Sequence, residues 1–211
     1  MNDRKLLYQN PVTLLFLGAV PALGASVSVQ GALGMSAAVI GVLLLSALVL
    51  GLLKGLIPAG ARLPAAVLVV AGFASAAQLL LHAFLPSAYE MLGFWCAILA
   101  VDLMLFAAAE DAAEFGLAKG LLSALLSGVI FGVFVLILAV IRELFGAAAL
   151  AGNPVEALEA YKIPLLSKTA GGLVVFAILL AIVNRFCPAQ SGPGSLSRAA
   201  AGLSEEKEEQ A

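Results

Sequence analysis

The chain has 211 residues, of which 63% are hydrophobic and 11% charged, and its formal net charge is -2 at pH 7. A mean hydropathy of +1.10 excludes an ordinary water-soluble domain. No basic patch or stripe of the kind that binds nucleic acid is present, and the two cysteines form neither a disulfide framework nor CxxC zinc pairs.

The apolar residues fall into six long blocks. A bilayer core of roughly 30 Å needs about 20 apolar residues for each helical span. Because backbone groups in lipid must bond within their own segment, each block predicts a helix. The predicted spans are residues 12–30, 32–53, 64–85, 92–109, 120–141 and 164–186. The sequence thus predicts an all-α membrane protein with a six-span domain over residues 1–188 and a disordered, acidic cytoplasmic tail over 189–211.

The basic residues between the spans predict the orientation. With the N-terminus in the cytoplasm, eight of the eleven Lys and Arg residues lie on the cytoplasmic side, and Arg142, Lys162 and Lys168 lie outside. Cytoplasmic segments of membrane proteins carry an excess of Lys and Arg. Both termini are therefore predicted to be cytoplasmic.

Two halves of three spans suggest an inverted three-plus-three repeat. The third span opens with Arg62-Leu63-Pro64 and the sixth with Lys162-Ile163-Pro164. Pro at a first helical position loses nothing, because its missing N–H would be unpaired there in any case. So short a match also arises by chance, and both interpretations stay open.

The first span contains Gly18, Pro21 and Gly24, which weaken a helix. Two interpretations remain: a pair of half-helices that meet near the midplane of the bilayer, or a plain proline kink. Broken helices at membrane depth are tolerated where they are buried in protein or line a cavity.

Several carboxyl groups interrupt or end the apolar runs. Asp102 lies inside the fourth span, where an ionisable group is costly and is by default a candidate for function. Glu110 follows at the cytoplasmic end of that span, and Glu143 ends the fifth beside Arg142. Asp102, Glu110 and Glu143 are the candidate ion-path residues. The alternatives are a protonated or paired Asp102, a solvated face at Glu110 and a snorkelling Arg142–Glu143 pair.

Together these residues resemble the RnfE/NqrD family, the paired membrane subunits of Rnf and Nqr ion-translocating oxidoreductases. The resemblance runs over residues 10–146 and, more loosely, over the last span. It is carried by Asn10-Pro11, Gly18, Pro21, Ala32-Leu33-Gly34, Pro58, Arg62-x-Pro64, Gln78-Leu79-Leu80, Tyr89, Leu92-Gly93, Glu110 and Arg142-Glu143-Leu144.

The resemblance implies six helices in an inverted repeat with broken first and fourth helices, in a bacterial plasma (inner) membrane. It implies pairing with a homologous subunit of opposite topology, with one cysteine per broken helix given by both partners to a 2Fe–2S cluster between them. That cluster relays electrons between flavin and iron–sulfur subunits, and the electron flow is coupled to Na⁺ or H⁺ movement.

This chain departs from the family pattern at both ligand positions, which hold Val20 and Leu103. Clusters are held by thiolates and occasionally by His, and aliphatic side chains offer no donor. Cys96 precedes Leu103 by seven residues, about 10 Å along a helix, which is too far to replace the ligand. We therefore expect this chain to bind no cofactor.

The sequence predicts a non-catalytic membrane subunit of an Rnf/Nqr-type complex that does not ligate a cluster itself. The alternatives are a redox-silent paralogue that acts as a small transporter or channel, and a structural subunit needed for assembly.

Overall fold

The computed structural model of the chain describes residues 11–53, 55–58, 61–84, 86–102, 105, 117–154 and 162–186. The predicted tail, 189–211, lies outside these residues, as do Leu103 and Glu110. The described residues are helical apart from short connections and one small hairpin. The elements are α1 (Pro11–Leu17), α2 (Ala19–Ala25), α3 (Val29–Leu53), α4 (Arg62–Phe84), α5 (Pro86–Ile98), a 3₁₀ turn (Leu99–Val101), α6 (Leu117–Ala147), β1 (Ala149–Leu150), β2 (Asn153–Pro154), α7 (Pro164–Ser167) and α8 (Thr169–Phe186).

Three of the described helices are long and apolar enough to cross a bilayer: Val29–Leu53, Pro64–Phe84 and Leu117–Ala147. They confirm the second, third and fifth predicted spans as helices. The fourth and sixth blocks contain the shorter apolar helices Leu92–Val101 and Thr169–Arg185. The complete set of six spans and the inverted repeat stay predictions.

The boundary between the first two spans, predicted at residues 30–32 to within a few residues, lies at residues 26–28. Helix α2 ends at Ala25, and α3 already begins at Val29 after a three-residue turn. Two hydrogen bonds fix this boundary. The Ser28 hydroxyl accepts from the N–H of Gly31 at 3.1 Å, and the Glu143 carboxylate accepts from the N–H of Val29 at 2.7 Å. These bonds satisfy N–H groups that a new helix leaves unpaired, so the chain turns here instead of continuing.

Helices α3 and α6 form the most extensive helix pair among the described elements. Gly128 and Gly132 of α6 lie where the two helices meet, and a Cβ added at Gly132 would lie 3.1 Å from the Cβ of Ser36 on α3. Small residues allow helix backbones to approach closely in a membrane, where packing and not water exclusion drives association. This small-residue pair therefore serves packing within the subunit.

The outward faces of the helices remain strongly apolar. Leu68 and Leu79 on α4 are 76% and 69% exposed, and Phe84 at its end is 78% exposed. Such surface is unfavourable in water and matches lipid chains in a bilayer. The buried core, by contrast, includes residues of α3 and α6 such as Met35, Leu43 and Leu138, together with residues of the other helices.

Candidate functional site

The first helix is interrupted at Gly18. Its backbone (φ -87°, ψ 17°) departs from helical geometry and separates α1 from α2. Pro21 then lies in the first turn of α2, where its missing N–H costs little. The Gly18 N–H still donates to Leu14 at 3.1 Å, and Ala22 donates to the Gly18 carbonyl at 3.2 Å. The break is therefore local, and it lies at Gly18 and not at Pro21.

Helix α5 ends near Asp102. Helix α5 tightens into the 3₁₀ turn Leu99–Val101, and Asp102 then takes an extended conformation (φ -75°, ψ 121°). Its N–H donates to the Leu99 carbonyl at 3.3 Å, which closes the turn. Asp102 is 5% exposed, whereas its neighbour Val101 is 69% exposed. The carboxyl group thus lies at the break and is directed into the protein.

Helices α2 and α5 pack against each other. The ring of Trp95 on α5 lies directly on the backbone of Gly24 in α2, so closely that no side chain fits at residue 24. A cavity of about 290 Å³ opens beside this contact. It is lined by Leu23, Gly24, Ala25, Val27, Ser28, Gly31, Leu92, Trp95 and Thr169.

A buried guanidinium holds the end of α2 and the break between α7 and α8. Arg142 is 1% exposed, and its Nη1 donates to the Leu23 carbonyl at 2.8 Å and to the Ser26 hydroxyl at 2.7 Å. Its Nε donates to the Leu166 carbonyl at 3.1 Å. Its Nη2 lies 3.3 Å from the carbonyls of both Ser167 and Lys168. Carbonyls at helix ends lack intrahelical partners, and a cation there satisfies them.

The next residue binds the opposite kind of helix end. Glu143 is 4% exposed, and its Oε2 accepts from the N–H of Val29, the first residue of α3. Its Oε1 accepts from the N–H of Gly152 at 2.8 Å, in the turn between β1 and β2. Gly152 has φ +85°, a conformation that suits glycine. The cation therefore binds C-terminal carbonyls and the anion binds N–H groups, as helix polarity favours.

A sequence model of the Rnf-Nqr subunit family of membrane proteins matches residues 3–182. The chain belongs to this family.

Named relatives of this Rnf-Nqr protein are similar over most of their length. It is 29% identical over 182 residues to the E subunit of the Na(+)-translocating ferredoxin:NAD(+) oxidoreductase complex of Acetobacterium woodii, covering 86% of this chain and 93% of the relative. It is 26% identical over 180 residues to the E subunit of the proton-translocating ferredoxin:NAD(+) oxidoreductase complex of Clostridium ljungdahlii, covering 85% and 84%. It is 30% identical over 190 residues to the E subunit of an ion-translocating oxidoreductase complex of Pseudomonas paraeruginosa, covering 83% and 80%.

The predicted ion-path residues of this Rnf-Nqr protein lie on different elements. Asp102 is at the break after the 3₁₀ turn, and Glu143 is near the C-terminal end of α6. Both are buried, and Glu110 lies outside the described residues. Both Glu143 oxygens accept backbone hydrogen bonds, so this carboxylate has a structural role whether or not an ion passes it.

The side chains at the two positions that the family resemblance assigns to cluster ligands do not fit an iron–sulfur cluster, because neither has a donor atom. Val20 is 52% exposed on α2, and its hydrocarbon side chain has no donor atom. Leu103, at the second position, lies outside the described residues and is equally without a donor. Cys96 is fully buried in the core and turned away from the exposed surface. Among the described residues, no three His, Cys, Asp or Glu side chains are grouped to hold a metal ion.

The sequence predicted the Arg142–Glu143 pair but not the distant backbone groups to which it is hydrogen-bonded. An Arg-Glu pair at the end of an apolar block is compatible with snorkelling to the membrane surface. In the structure both side chains are buried instead, since four chain segments end around them. The Trp95–Gly24 contact was also missed, although the single Trp and a Gly in a broken helix were visible in the sequence.

Proposed function

We propose that this chain is an integral membrane subunit of an Rnf/Nqr-type complex that couples electron transfer to the translocation of Na⁺ or H⁺. The observation that carries the proposal is the family match over residues 3–182. The printed names of the three relatives, which all describe the E subunit of an ion-translocating complex, support it.

The coupling ion is left open by the relatives. The Acetobacterium protein belongs to a complex named for Na⁺ and the Clostridium protein to one named for protons, at similar identities of 29% and 26%. Ion dependence of electron transfer in membrane vesicles distinguishes the two. Electron transfer that stops in Na⁺-free buffer and is insensitive to a protonophore assigns sodium. Electron transfer that does not need Na⁺ and responds to a protonophore assigns protons.

We propose further that the protein spans a plasma membrane six times, with both termini in the cytoplasm, beside a homologous subunit of inverted topology. The excess of basic residues on the predicted cytoplasmic side supports this orientation. Two impermeant-reagent tests apply: a cysteine placed in the 146–163 connection reacts from outside the cell, and one placed in the C-terminal tail does not. The opposite labelling pattern refutes the orientation.

In this proposal the protein contributes to the membrane core without ligating a cluster. Val20 and Leu103 at the two ligand positions support this, because neither side chain can bind iron. The buried Asp102, at the break beside one of these positions, and Glu110 are then candidates for the ion path.

The decisive experiment is gentle affinity purification of the tagged protein from its native membranes, with every co-purifying subunit identified. Flavoprotein and iron–sulfur subunits in stoichiometric amounts support the proposal. Recovery alone, or only with a close homologue, refutes it.

The second candidate is a redox-silent relative that transports a solute or ion, or that serves assembly alone. The specific observation in its favour is the replacement of both ligand positions by aliphatic residues. The purification separates it from the first proposal, and substitution of Asp102 by Asn separates transport from assembly.

A further inference from the structure

Five oxygen atoms converge on the Arg142 guanidinium. They are the carbonyls of Leu23, Leu166, Ser167 and Lys168 and the hydroxyl of Ser26, at 2.7–3.3 Å. A guanidinium has five N–H donors in a rigid planar fork, so each donor has one acceptor here. We call these five oxygens the carbonyl cage.

The carbonyl cage has the chemistry of a cation site. Proteins bind cations and select ions with converging backbone carbonyl and hydroxyl oxygens that replace the hydration shell. All five acceptors of Arg142 are neutral, so the positive charge is held by dipoles and not by a carboxylate. The Leu23 carbonyl also accepts from the Ser26 hydroxyl, and the Lys168 carbonyl also accepts from the N–H of Gly172. The guanidinium supplies the further donors that these helix ends face.

The cage lies next to the cavity between α2 and α5. Leu23 lines the cavity and also gives its carbonyl to Arg142, and Thr169, another lining residue, directly follows Lys168 of the cage. The backbone of Gly172 also packs directly on the guanidinium, since an added Cβ would lie 2.7 Å from Cζ. The cavity and the cage therefore share Leu23 and are adjacent to each other.

We propose that Arg142 is a tethered cation that occupies a carbonyl-oxygen cation site and thereby closes this end of the protein to mobile cations. The guanidinium satisfies the ends of α2 and α7 and its fixed charge repels Na⁺ or H⁺ from the cavity. The binding part stands on geometry alone, and the barrier part rests on the proposed function in an ion-translocating complex.

The binding part is tested on the complex purified in detergent, carrying Arg142→Ala, with free guanidinium as the probe. Guanidinium chloride at millimolar concentration, far below its denaturing range, is expected to raise the lowered Tm of the variant in a saturable manner. Neutral urea at equal concentration serves as a control, and so does Arg62→Ala, which removes an exposed arginine at the start of α4. An equal response to guanidinium and urea, or an equal guanidinium response in Arg62→Ala, overturns the assignment of a cation site.

The barrier part is tested by passive sodium and proton permeability of liposomes that contain the same complexes without redox substrates. Arg142→Ala is expected to leak faster than the wild type and Arg62→Ala, and guanidinium is expected to suppress the leak. A permeability equal to that of the wild type overturns the barrier.

Arg142→Lys keeps the test decisive if the alanine variant does not assemble. Its ammonium retains the charge but supplies three donors for five acceptors. It is expected to assemble with a lowered Tm, without a leak and without a response to guanidinium. A leak in this variant overturns the barrier, and a Tm equal to the wild type overturns the need for the planar fork. Absence of redox subunits from the preparation refutes the proposed function. The guanidinium titration does not depend on those subunits, because the Tm is measured on the membrane assembly that is recovered.

Discussion

Glu143 and Val29 are joined by a 2.7 Å hydrogen bond although they lie 114 residues apart in the chain. The adjacent Arg142 reaches the Leu23 carbonyl at 2.8 Å across 119 residues. Two neighbouring side chains of α6 thus hold the end of α2 and the beginning of α3, on either side of one short turn. Since a buried charge is favourable only when it is fully hydrogen-bonded, the pair and the turn depend on each other.

Glu143→Gln is expected to lower the stability of the protein in detergent by roughly 1–3 kcal/mol. An amide offers one oxygen, so one of the N–H groups of Val29 and Gly152 would face an NH₂ donor. Thermal unfolding measures the loss, with the exposed Glu90→Gln on α5 as the matched control. An unchanged Tm combined with lost ion translocation would instead assign Glu143 to the ion path.

Gly24→Ala is expected to destabilise the packing of α2 against α5 by about 1–3 kcal/mol, because the added methyl meets the Trp95 ring. Gly72 on α4 has open space around its Cα, so Gly72→Ala is the control. It is expected to stabilise its helix by roughly 0.5–1 kcal/mol. The Tm and the yield of assembled complex are compared between the two variants. Similar behaviour of the two variants contradicts the close contact of Trp95 with α2.

Asp102→Asn is expected to leave the complex assembled and to reduce ion movement to a small fraction of the wild-type rate. An amide of similar size removes the charge that a buried carboxyl at the helix break can offer to a passing cation. Ion uptake into vesicles measures the effect, and Glu90→Gln again controls for the loss of a carboxylate at an exposed position. Unchanged flux would assign the protein to assembly or to structure alone.

Removal of both cysteines, as Cys96→Ala with Cys187→Ala, is expected to leave the iron content and the electron paramagnetic resonance spectrum of the purified complex unchanged. Cys96 is buried in the apolar core, so its loss costs only about 1 kcal/mol of packing. Loss of an iron–sulfur signal in this variant would show that the chain supplies a ligand after all. It would contradict the cluster-free role.

The order and location of the long helices are determined by the sequence itself. The blocks at 32–53, 64–85 and 120–141 became α3, α4 and α6, because an uninterrupted apolar run of that length in lipid must bond its backbone within one helix. The interruption of the first helix was also visible in its Gly and Pro residues. Its position was not: the chain breaks at Gly18, while Pro21 fits the first turn of the next helix.

Only the tertiary structure decided how the helix ends are satisfied. The sequence placed Arg142 and Glu143 at the end of an apolar block, where an exposed and a buried arrangement have the same local pattern. Their acceptors and donors come from α2, α3, the hairpin and the α7–α8 break, far away along the chain. A helix interior closes its hydrogen bonds between residues four apart, so local sequence suffices. A buried helix end has no local partner, so its position follows from whichever distant side chain reaches it.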